Sequence, residues 1–261
     1  MEWSSQRVWI TGASSGIGEA LALELSRRGA TLVLSARRGE ELERVAAACA
    51  GGGHRVAPLD LTRTAELGPV AREVLAEGPV DVLVHNGGIS QRALARETTE
   101  ETERRIFATN YFGTVALTRA VLPAMRERGH GRLVVVTSLV GKIGTPLRSS
   151  YSASKHALHG YFEALRAEEH GAGIRVTLVC PGFIRTTLPE RALTGDGSPQ
   201  GQMDRAQLEG MPPEECARRI ARAVAQGRDE VLIGGRERLA VLLFRFFPGL
   251  FRRLIRRARV T

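Results

Sequence analysis

The sequence has few cysteines. The three, Cys49, Cys180 and Cys216, are odd in number, scattered along the chain and without the close spacing of metal ligands. This pattern predicts reduced thiols in a reducing compartment and no metal site. A disulfide-stabilised secreted domain is excluded as the reading of this chain.

Long apolar runs are also missing. The longest near the C-terminus covers only residues 239–244, far below the roughly 18 residues that a membrane-spanning helix needs. Residues 1–6 are polar and lead straight into an apolar strand, without the charged and apolar parts of a signal peptide. The sequence therefore predicts no spanning helix and no signal peptide, and we expect a cytoplasmic protein.

Acidic residues are too few to balance the basic ones, and the formal net charge is +9. Residues 236–261 contain eight Arg and one Glu, so +7 of this charge belongs to the tail. The preceding 235 residues are nearly neutral, which argues against a nucleic-acid-binding domain.

Short apolar segments alternate with helical patterns along the chain, as in Gly18–Arg28, Glu40–Ala50 and Leu67–Ala76. Continuous apolar strands with helices between them predict an α/β fold: a Rossmann-like, doubly wound, seven-stranded parallel sheet with helices on both faces. We expect one catalytic domain over 1–235 and an extension over 236–261. The predicted strands are Arg7–Thr11, Thr31–Ser35, Arg55–Leu59, Val80–Val84, Arg132–Thr137, Arg175–Val179 and Glu230–Ile233.

Lysine is the scarcest cation: among 37 basic residues only Lys142 and Lys155 are lysine, and Tyr151 is one of three tyrosines. Positions four apart share one helix face, so Lys155 is expected beside the Tyr151 phenol, where its charge would lower the pKa of the phenol. A simple surface pair is the alternative on this spacing alone.

A glycine-rich loop follows the first predicted strand and opens a helix. Glycines allow a sharp turn close to a pyrophosphate, and the helix N-terminus favours its negative charge. The loop therefore predicts a dinucleotide site, with a plain glycine turn as the alternative. Its candidate binding residues are Gly12, Ser14, Ser15, Gly16, Ile17 and Gly18.

The next strand ends indicate which dinucleotide is bound. Arg37 stands where an acidic residue would hold the ribose of NAD, so NADP is favoured over NAD. Asp60-Leu61 closes the third strand, where the carboxylate can accept from the adenine amino group. The fourth strand gives a second glycine turn, which allows the backbone to approach the cofactor. That turn contributes Asn86, Gly87 and Gly88.

The fifth strand ends at Ser138, thirteen residues before Tyr151. With Asn110 in a preceding helix, the order of motifs resembles the short-chain dehydrogenase/reductase family over Arg7 to about Ile233. The family pattern is Thr-Gly-x-x-x-Gly-x-Gly, Asn-Asn-Ala-Gly, an Asn, a Ser and Tyr-x-x-x-Lys. His85 departs from it, standing where the family has the first Asn; we expect His85 to be structural and not a base.

The resemblance implies roles for these residues. Ser138 and Tyr151 would bind and protonate the substrate oxygen, and Lys155 would hold the nicotinamide ribose. Asn110 would hold a water on the proton path. The loop after the sixth strand would contact the nicotinamide through Pro181, Gly182, Ile184 and Thr186.

The stretch from Gly141 to Ala157 more narrowly resembles the subgroup of dehydrogenase/reductase member-seven proteins. That likeness implies lipid-like, steroid or retinoid carbonyl substrates, and the family implies a homo-oligomer. Residues 188–211 are polar and rich in glycine, so they predict a substrate lid.

The tail, residues 239–261, places apolar side chains such as Phe251 and Leu254 beside many arginines. This composition is typical of a helix on an anionic membrane surface, which would make the protein peripheral at the inner face of a membrane. A wall of the substrate cleft and a subunit contact are the alternatives.

The sequence therefore predicts an NADP-dependent oxidoreductase that interconverts a carbonyl and an alcohol. The other classes to weigh are a non-catalytic NADP-binding scaffold or sensor, and a peripheral membrane protein that acts through its tail.

Overall fold

A computed structural model describes residues 1–256; the predictions for residues 257–261 of the tail lie outside the described residues. The strands are β1 (Arg7–Thr11), β2 (Thr31–Ser35), β3 (Arg55–Val56), β4 (Val82–His85), β5 (Gly131–Val136), β6 (Ile174–Pro181) and β7 (Glu230–Ile233). The helices are α1 (Gly16–Arg27), α2 (Gly39–Ala48), α3 (Thr64–Ala76), α4 (Glu100–Phe107), α5 (Gly113–Glu127), α6 (Ser149–Glu169), α7 (Arg205–Leu208), α8 (Pro213–Ala225), α9 (Leu239–Phe246) and α10 (Pro248–Ile255).

All seven strands are parallel and lie in the order β3-β2-β1-β4-β5-β6-β7. The predicted doubly wound fold is confirmed. The order reverses between β1 and β4, and in such sheets ligands bind in the crevice outside the carboxyl ends of the strands at that point.

Two apolar cores cover the two faces of the sheet. Because side chains alternate along a strand, Val8 and Ile10 of β1 pack with α1, α2 and α8, whereas Trp9 packs with α3, α5 and α6. Burial on both faces explains why the strands read as continuous apolar runs.

Most predicted strand bounds agree within two residues, and β3 is the exception. It was predicted to reach Leu59 but ends at Val56. Beyond Val56 the chain stays paired with β2 and the residue after it through isolated backbone hydrogen bonds, from Ala57 N to Leu34 O and from Leu59 N to Ala36 O. Pro58 between them has no N–H to donate, which interrupts the strand.

The C-terminal extension forms α9 and α10, which pack on each other through an edge-to-face contact of Phe244 and Phe251, 5.1 Å between ring centroids. Phe251 is buried, whereas Leu250 and Leu254 of the same helix are exposed. The apolar side chains of this helix are therefore divided between an internal contact and solvent. Within residues 1–256, none of the helices has both the length and the apolar character to span a membrane.

Candidate active site

The glycine loop connects β1 to α1 at the crevice. Gly12 and Gly16 have φ values of 65° and 59°, a left-handed backbone that glycine adopts without strain. A Cβ at Gly18 would lie 2.2 Å from the carbonyl oxygen of Gly12, so α1 starts in direct contact with the turn. Ser14, Ser15 and Ile17 complete the loop, which forms the close-packed turn that a pyrophosphate needs.

The second glycine turn is attached to the first. The Thr11 hydroxyl accepts hydrogen bonds from the backbone N–H groups of Asn86 and Gly87, both at 3.1 Å. The Asn86 amide donates to the carbonyl oxygen of Gly12 at 3.1 Å. A Cβ at Gly87 would come within 2.7 Å of the Leu61 side chain. Leu61, which was predicted to lie near the adenine, therefore lies against the second glycine turn.

A cavity of about 380 Å³ opens beside the glycine loop. Ser14, Gly16, Arg38 and Thr186 lie on its wall, and Arg38 Nη2 is 3.4 Å from the Ser14 hydroxyl. Arg38 is one of four arginines on this wall, whereas sequence reasoning named its neighbour Arg37.

Arg37 instead lies near Asp60 and acts on its carboxyl charge. Burial raises the pKa of Asp60, but hydrogen bonds from the backbone and hydroxyl of Thr62, helped by Arg37 and Arg63, bring it below the usual value. Asp60 is thus an acceptor already engaged by Thr62, at 2.9 and 2.8 Å.

Thr186 meets the glycine loop from the other side of the crevice. A Cβ on Gly16 would lie 3.1 Å from Cγ2 of Thr186, although the two residues are far apart in sequence. Gly182 at the end of β6 donates to Ile233 O at 2.7 Å, which fixes the loop from Pro181. Ile184 in the same loop is buried and pairs with Met211. These contacts place the loop after β6 opposite the glycine loop, across the crevice where ligands bind in such sheets.

Tyr151 lies in the first turn of α6, and Ser138 lies just past the end of β5. Burial raises the pKa of Tyr151, and the charges of Arg92 and Arg148 and a hydrogen bond with Ser138 act against this rise. Ser138 also lies 3.3 Å from the Pro181 carbonyl oxygen. The structure therefore brings the phenol and hydroxyl together, as the motif order predicted.

The expected effect of Lys155 on Tyr151 needs correction. The Lys155 ammonium donates to the Val136 carbonyl oxygen at 2.9 Å and lies 5.8 Å from the centroid of the Tyr151 ring. Helical spacing places both residues on one face, but the long lysine side chain reaches back to β5. Burial lowers the pKa of Lys155 to about 8, and the cations that act on Tyr151 are the two arginines.

Asn110 lies in a π-helical turn, Ala108–Phe112, that joins α4 to α5 without a break, so it is within a long helical segment as expected. Its side-chain oxygen accepts from Ile89 N at 2.8 Å, and its amide donates to Ile89 O and Ser154 Oγ, both at 3.0 Å. A Cβ on Gly88 would lie 3.1 Å from Asn110 Oδ1 and 3.5 Å from Lys155 Nζ. Asn110 thus joins the second glycine turn to α6, next to Lys155.

His85 is a buried structural residue. Its Nε2 is 2.8 Å from the hydroxyl of Thr118 on α5, and its ring is 5.8 Å from that of Phe162. Burial lowers the pKa of His85 to about 3. It is therefore neutral at physiological pH.

Lys142, the second lysine, lies in a cluster with His159, Glu163 and Glu230. Its ammonium is 2.6 Å from Glu230 and 3.7 Å from Glu163. The two carboxylates and His159 have donor atoms within 4.8 Å of one another, but the lysine itself supplies the positive charge between them.

Sequence reasoning missed four polar residues that surround the start of α6: Gln91, Arg92, Arg148 and Asp204. All are buried or nearly so, and each has partners that are distant in sequence. Asp204 belongs to the predicted lid, 188–211, which packs against the body through Ala192, Leu193 and Gln207.

Known proteins resemble this chain in sequence and in fold. Residues 6–195 match the family described as short chain dehydrogenase. The chain is 42% identical to human "Dehydrogenase/reductase SDR family member 7", over 95% of this chain and 78% of that protein. It is 44% identical to an Anopheles gambiae "Dehydrogenase/reductase SDR family protein 7-like", over 87% of this chain and 74% of that protein.

Solved structures agree. A short-chain dehydrogenase from Streptomyces avermitilis superimposes with a TM-score of 0.81 at 32% identity, covering 95% of both chains. A Burkholderia phymatum family member in complex with NAD gives 0.83 at 25% identity, covering 96% of both chains. An alcohol dehydrogenase from Thermococcus sibiricus complexed with 5-hydroxy-NADP gives 0.74 at 26% identity, covering 88% of this chain and 96% of that one. With its sheet order, glycine turns and Ser138, Tyr151 and Lys155 together at the strand ends, this chain belongs to the short-chain dehydrogenase/reductase family.

Proposed function

We propose that the protein is an NADP(H)-dependent oxidoreductase that interconverts a carbonyl and an alcohol. The observation that carries the proposal is the grouping of Ser138 with the buried Tyr151 and Lys155, next to the second glycine turn. When bound, the nicotinamide cofactor supplies the hydride.

The side chains of the site handle the proton and the charge. In reduction, Ser138 donates a hydrogen bond to the substrate oxygen, and Tyr151 gives its proton to that oxygen as negative charge develops. Its raised pKa keeps the phenol protonated and ready to donate. Lys155, with a pKa of about 8, can bind the nicotinamide ribose and also exchange a proton near neutral pH.

Tyr151→Phe tests the assignment. We expect NADPH binding to be retained and turnover of a good carbonyl substrate to fall by about 10² to 10⁴-fold, the usual contribution of a general acid. Tyr161→Phe is the matched control, because Tyr161 lies on the same helix but packs against Tyr111 and Phe162. Wild-type turnover by Tyr151→Phe would instead favour a non-catalytic scaffold or sensor.

The NADP preference is supported by Arg38, which lies on the cavity wall beside Ser14, and by Arg37, which stands in the sequence where an acidic residue would hold the ribose of NAD. For the substrate, we propose a lipid-like carbonyl of steroid, retinoid or fatty type, on the likeness to the member-seven proteins. A screen of such ketones and aldehydes with NADPH and NADH tests both points; a clear preference for NADH would overturn the first.

A second function is favoured by the surface of the extension. Leu239, Leu242 and Phe246 follow one exposed face of α9, and Phe247, Leu250 and Leu254 continue it along α10. Six exposed arginines flank these side chains, namely Arg236, Arg238, Arg245, Arg252, Arg253 and Arg256. The carboxylate in this region, Glu237, is engaged by the backbone N–H groups of Phe183 and Gly235, at 3.2 and 2.9 Å.

Apolar side chains flanked by exposed arginines suit an anionic lipid surface. The extension follows β7 at the carboxyl edge of the parallel sheet, the edge that holds the active site, so membrane binding would bring the substrate cleft near lipid. We therefore propose that this face binds anionic membranes. The cytoplasmic location and the homo-oligomer stay predictions.

Vesicle co-sedimentation tests the membrane proposal. We expect the full chain to bind vesicles containing phosphatidylserine, to bind phosphatidylcholine vesicles much more weakly, and to lose binding with Phe246→Ser/Phe247→Ser. Phe112→Ser is the control, because Phe112 is also exposed but lies outside the extension. Concentration-dependent self-association that the double variant abolishes, without vesicle binding, would assign the face to a subunit contact instead.

A further inference from the structure

The catalytic helix α6 begins without a cap of its own. Arg148 precedes its first turn and makes no side-chain cap hydrogen bond, so the first N–H groups of the helix need acceptors from elsewhere. The side-chain oxygen of Gln91 accepts from Ser150 N at 2.9 Å and from Tyr151 N at 3.2 Å. One residue, distant in sequence, therefore caps the helix at the acid Tyr151 itself.

The orientation of the Gln91 amide is fixed. The side chain is fully buried, and its nitrogen donates to the Thr98 hydroxyl at 2.7 Å. Rotation of the amide would place two N–H donors against the N–H groups of Ser150 and Tyr151. The buried donor and acceptor of Gln91 thus define one position for the start of α6.

The neighbouring residue, Arg92, holds the lid segment. Its Nε donates to Asp204 Oδ2 at 2.9 Å, and its Nη2 makes a second, shorter bond to the same oxygen. Arg148 Nη2 lies 3.4 Å from that oxygen. The backbone N–H of Arg92 donates to Leu193 O at 2.8 Å, so the lid is held by main chain and side chain together.

Residues 91 and 92 therefore contact both the helix that carries Tyr151 and the predicted lid, residues 188–211. We propose that Gln91 is a positioning residue for Tyr151, and that the Arg92–Asp204 pair closes residues 188–211 over the same site. This inference rests on the proposed function for its kinetic part only.

Charges around Tyr151 come from every element that packs there. Arg92 follows β4, and Glu103 is on α4. Arg148 immediately precedes α6, Lys155 is on α6, and Asp204 is in the lid. Glu103 accepts from the Ser150 hydroxyl at 2.9 Å. Because Asp204 partly compensates two arginines, removal of its charge leaves the phenol in a more positive field, in which its anion is favoured.

Gln91→Met and Gln91→Glu test the cap. Gln91→Met keeps the size but has no acceptor; we expect faster amide hydrogen exchange at Ser150 and Tyr151, and a kcat lower by about 10-fold or more with the KM for NADPH unchanged. Gln91→Glu keeps the acceptor; we expect protection and most of kcat to return. The pH at which reduction declines should move upward only in Gln91→Glu, since only that variant adds negative charge.

Asp204→Asn tests the lid. We expect faster proteolytic cleavage within 188–211, a higher KM for the carbonyl substrate, and a decline of the reduction rate that begins at lower pH. Asp196→Asn is the control in the same segment, because Asp196 is exposed and accepts hydrogen bonds from its near neighbours Thr194 and Ser198.

Exchange and proteolysis are measured without turnover, so they test the contacts even if no substrate is reduced. Unchanged exchange at Ser150 and Tyr151 in Gln91→Met overturns the cap, and equal losses of kcat in Gln91→Met and Gln91→Glu overturn positioning in favour of a general structural role. Cleavage and KM equal to those of Asp196→Asn overturn the role of Asp204. Absence of reductase activity in the wild type, with these exchange effects present, would count against the proposed function alone.

Discussion

The ammonium of Lys155 bonds to the Val136 carbonyl oxygen at the end of β5, 2.9 Å away. This contact ties the catalytic helix to the strand that leads into Ser138. It also buries a cation in the core of the site, because Lys155 is only 4% exposed.

Lys155→Met should change how stability depends on pH. Burial lowers the pKa of Lys155 to about 8 from an ordinary 10.5, so between these values the unfolded chain holds a proton that the folded chain does not. The wild type should therefore gain about 3 kcal/mol in its free energy of unfolding as pH rises from 8 to 10.5. Denaturant titrations of both proteins measure the difference; parallel curves would show an ordinary pKa for Lys155.

Arg38→Ala should weaken the binding of NADPH more than Arg37→Ala does. Arg38 lies on the cavity wall beside Ser14, whereas Arg37 acts on Asp60. Loss of one charge-assisted hydrogen bond, about 1.5–3 kcal/mol, corresponds to roughly 10-fold or more in affinity. Fluorescence titration with NADPH and with NADH measures it, and an equal loss for both cofactors would remove the arginine from 2′-phosphate recognition.

Gly18→Ala should impair cofactor binding by about 10-fold or more, because a Cβ there would lie 2.2 Å from Gly12 O and 2.5 Å from Asn86 Nδ2, and a shift of the loop misplaces the phosphate contacts. Gly160→Ala is the control: it lies in α6 with no heavy atom within 4 Å of the added Cβ. That change should stabilise the helix by about 1 kcal/mol and leave NADPH affinity unchanged.

His85→Asn should reduce the loss of stability in acid. Burial lowers the pKa of His85 to about 3 from 6.5, so below pH 6.5 the unfolded chain takes up a proton that the folded chain refuses. Each pH unit below 6.5 then lowers the free energy of unfolding by about 1.4 kcal/mol, which amounts to about 2 kcal/mol between pH 6.5 and 5. If denaturant curves of the wild type and His85→Asn fall equally over this range, His85 is accessible to protons.

Local patterns in the sequence predicted what local physics determines. Apolar runs gave the strands, the glycines of residues 12–18 gave the phosphate turn, and the spacing of Tyr151 and Lys155 placed both on one helix face. The position of the Lys155 ammonium was not predictable in this way, since it depends on a carbonyl oxygen of β5 that the sequence does not place. Gln91 and Asp204 were missed for the same reason: each acts through partners far away along the chain.

The extent of burial around each site residue was also not predictable from local sequence patterns. The neighbouring cation was expected to lower the pKa of Tyr151, but removal from water has the larger effect and raises it. Which of two adjacent arginines faces the cavity is likewise decided by the end of β2 and the start of α2, not by their shared charge.

The contact between Gly16 and Thr186 has a consequence for synthesis. One wall of the cofactor cleft is complete early in translation, but the other follows β6 and is made only after most of the chain has emerged. A cofactor that binds both walls cannot stabilise the folded state until both walls have been synthesised. Nucleotide present during translation should therefore protect the full chain from proteolysis and give no protection to chains that end before residue 186.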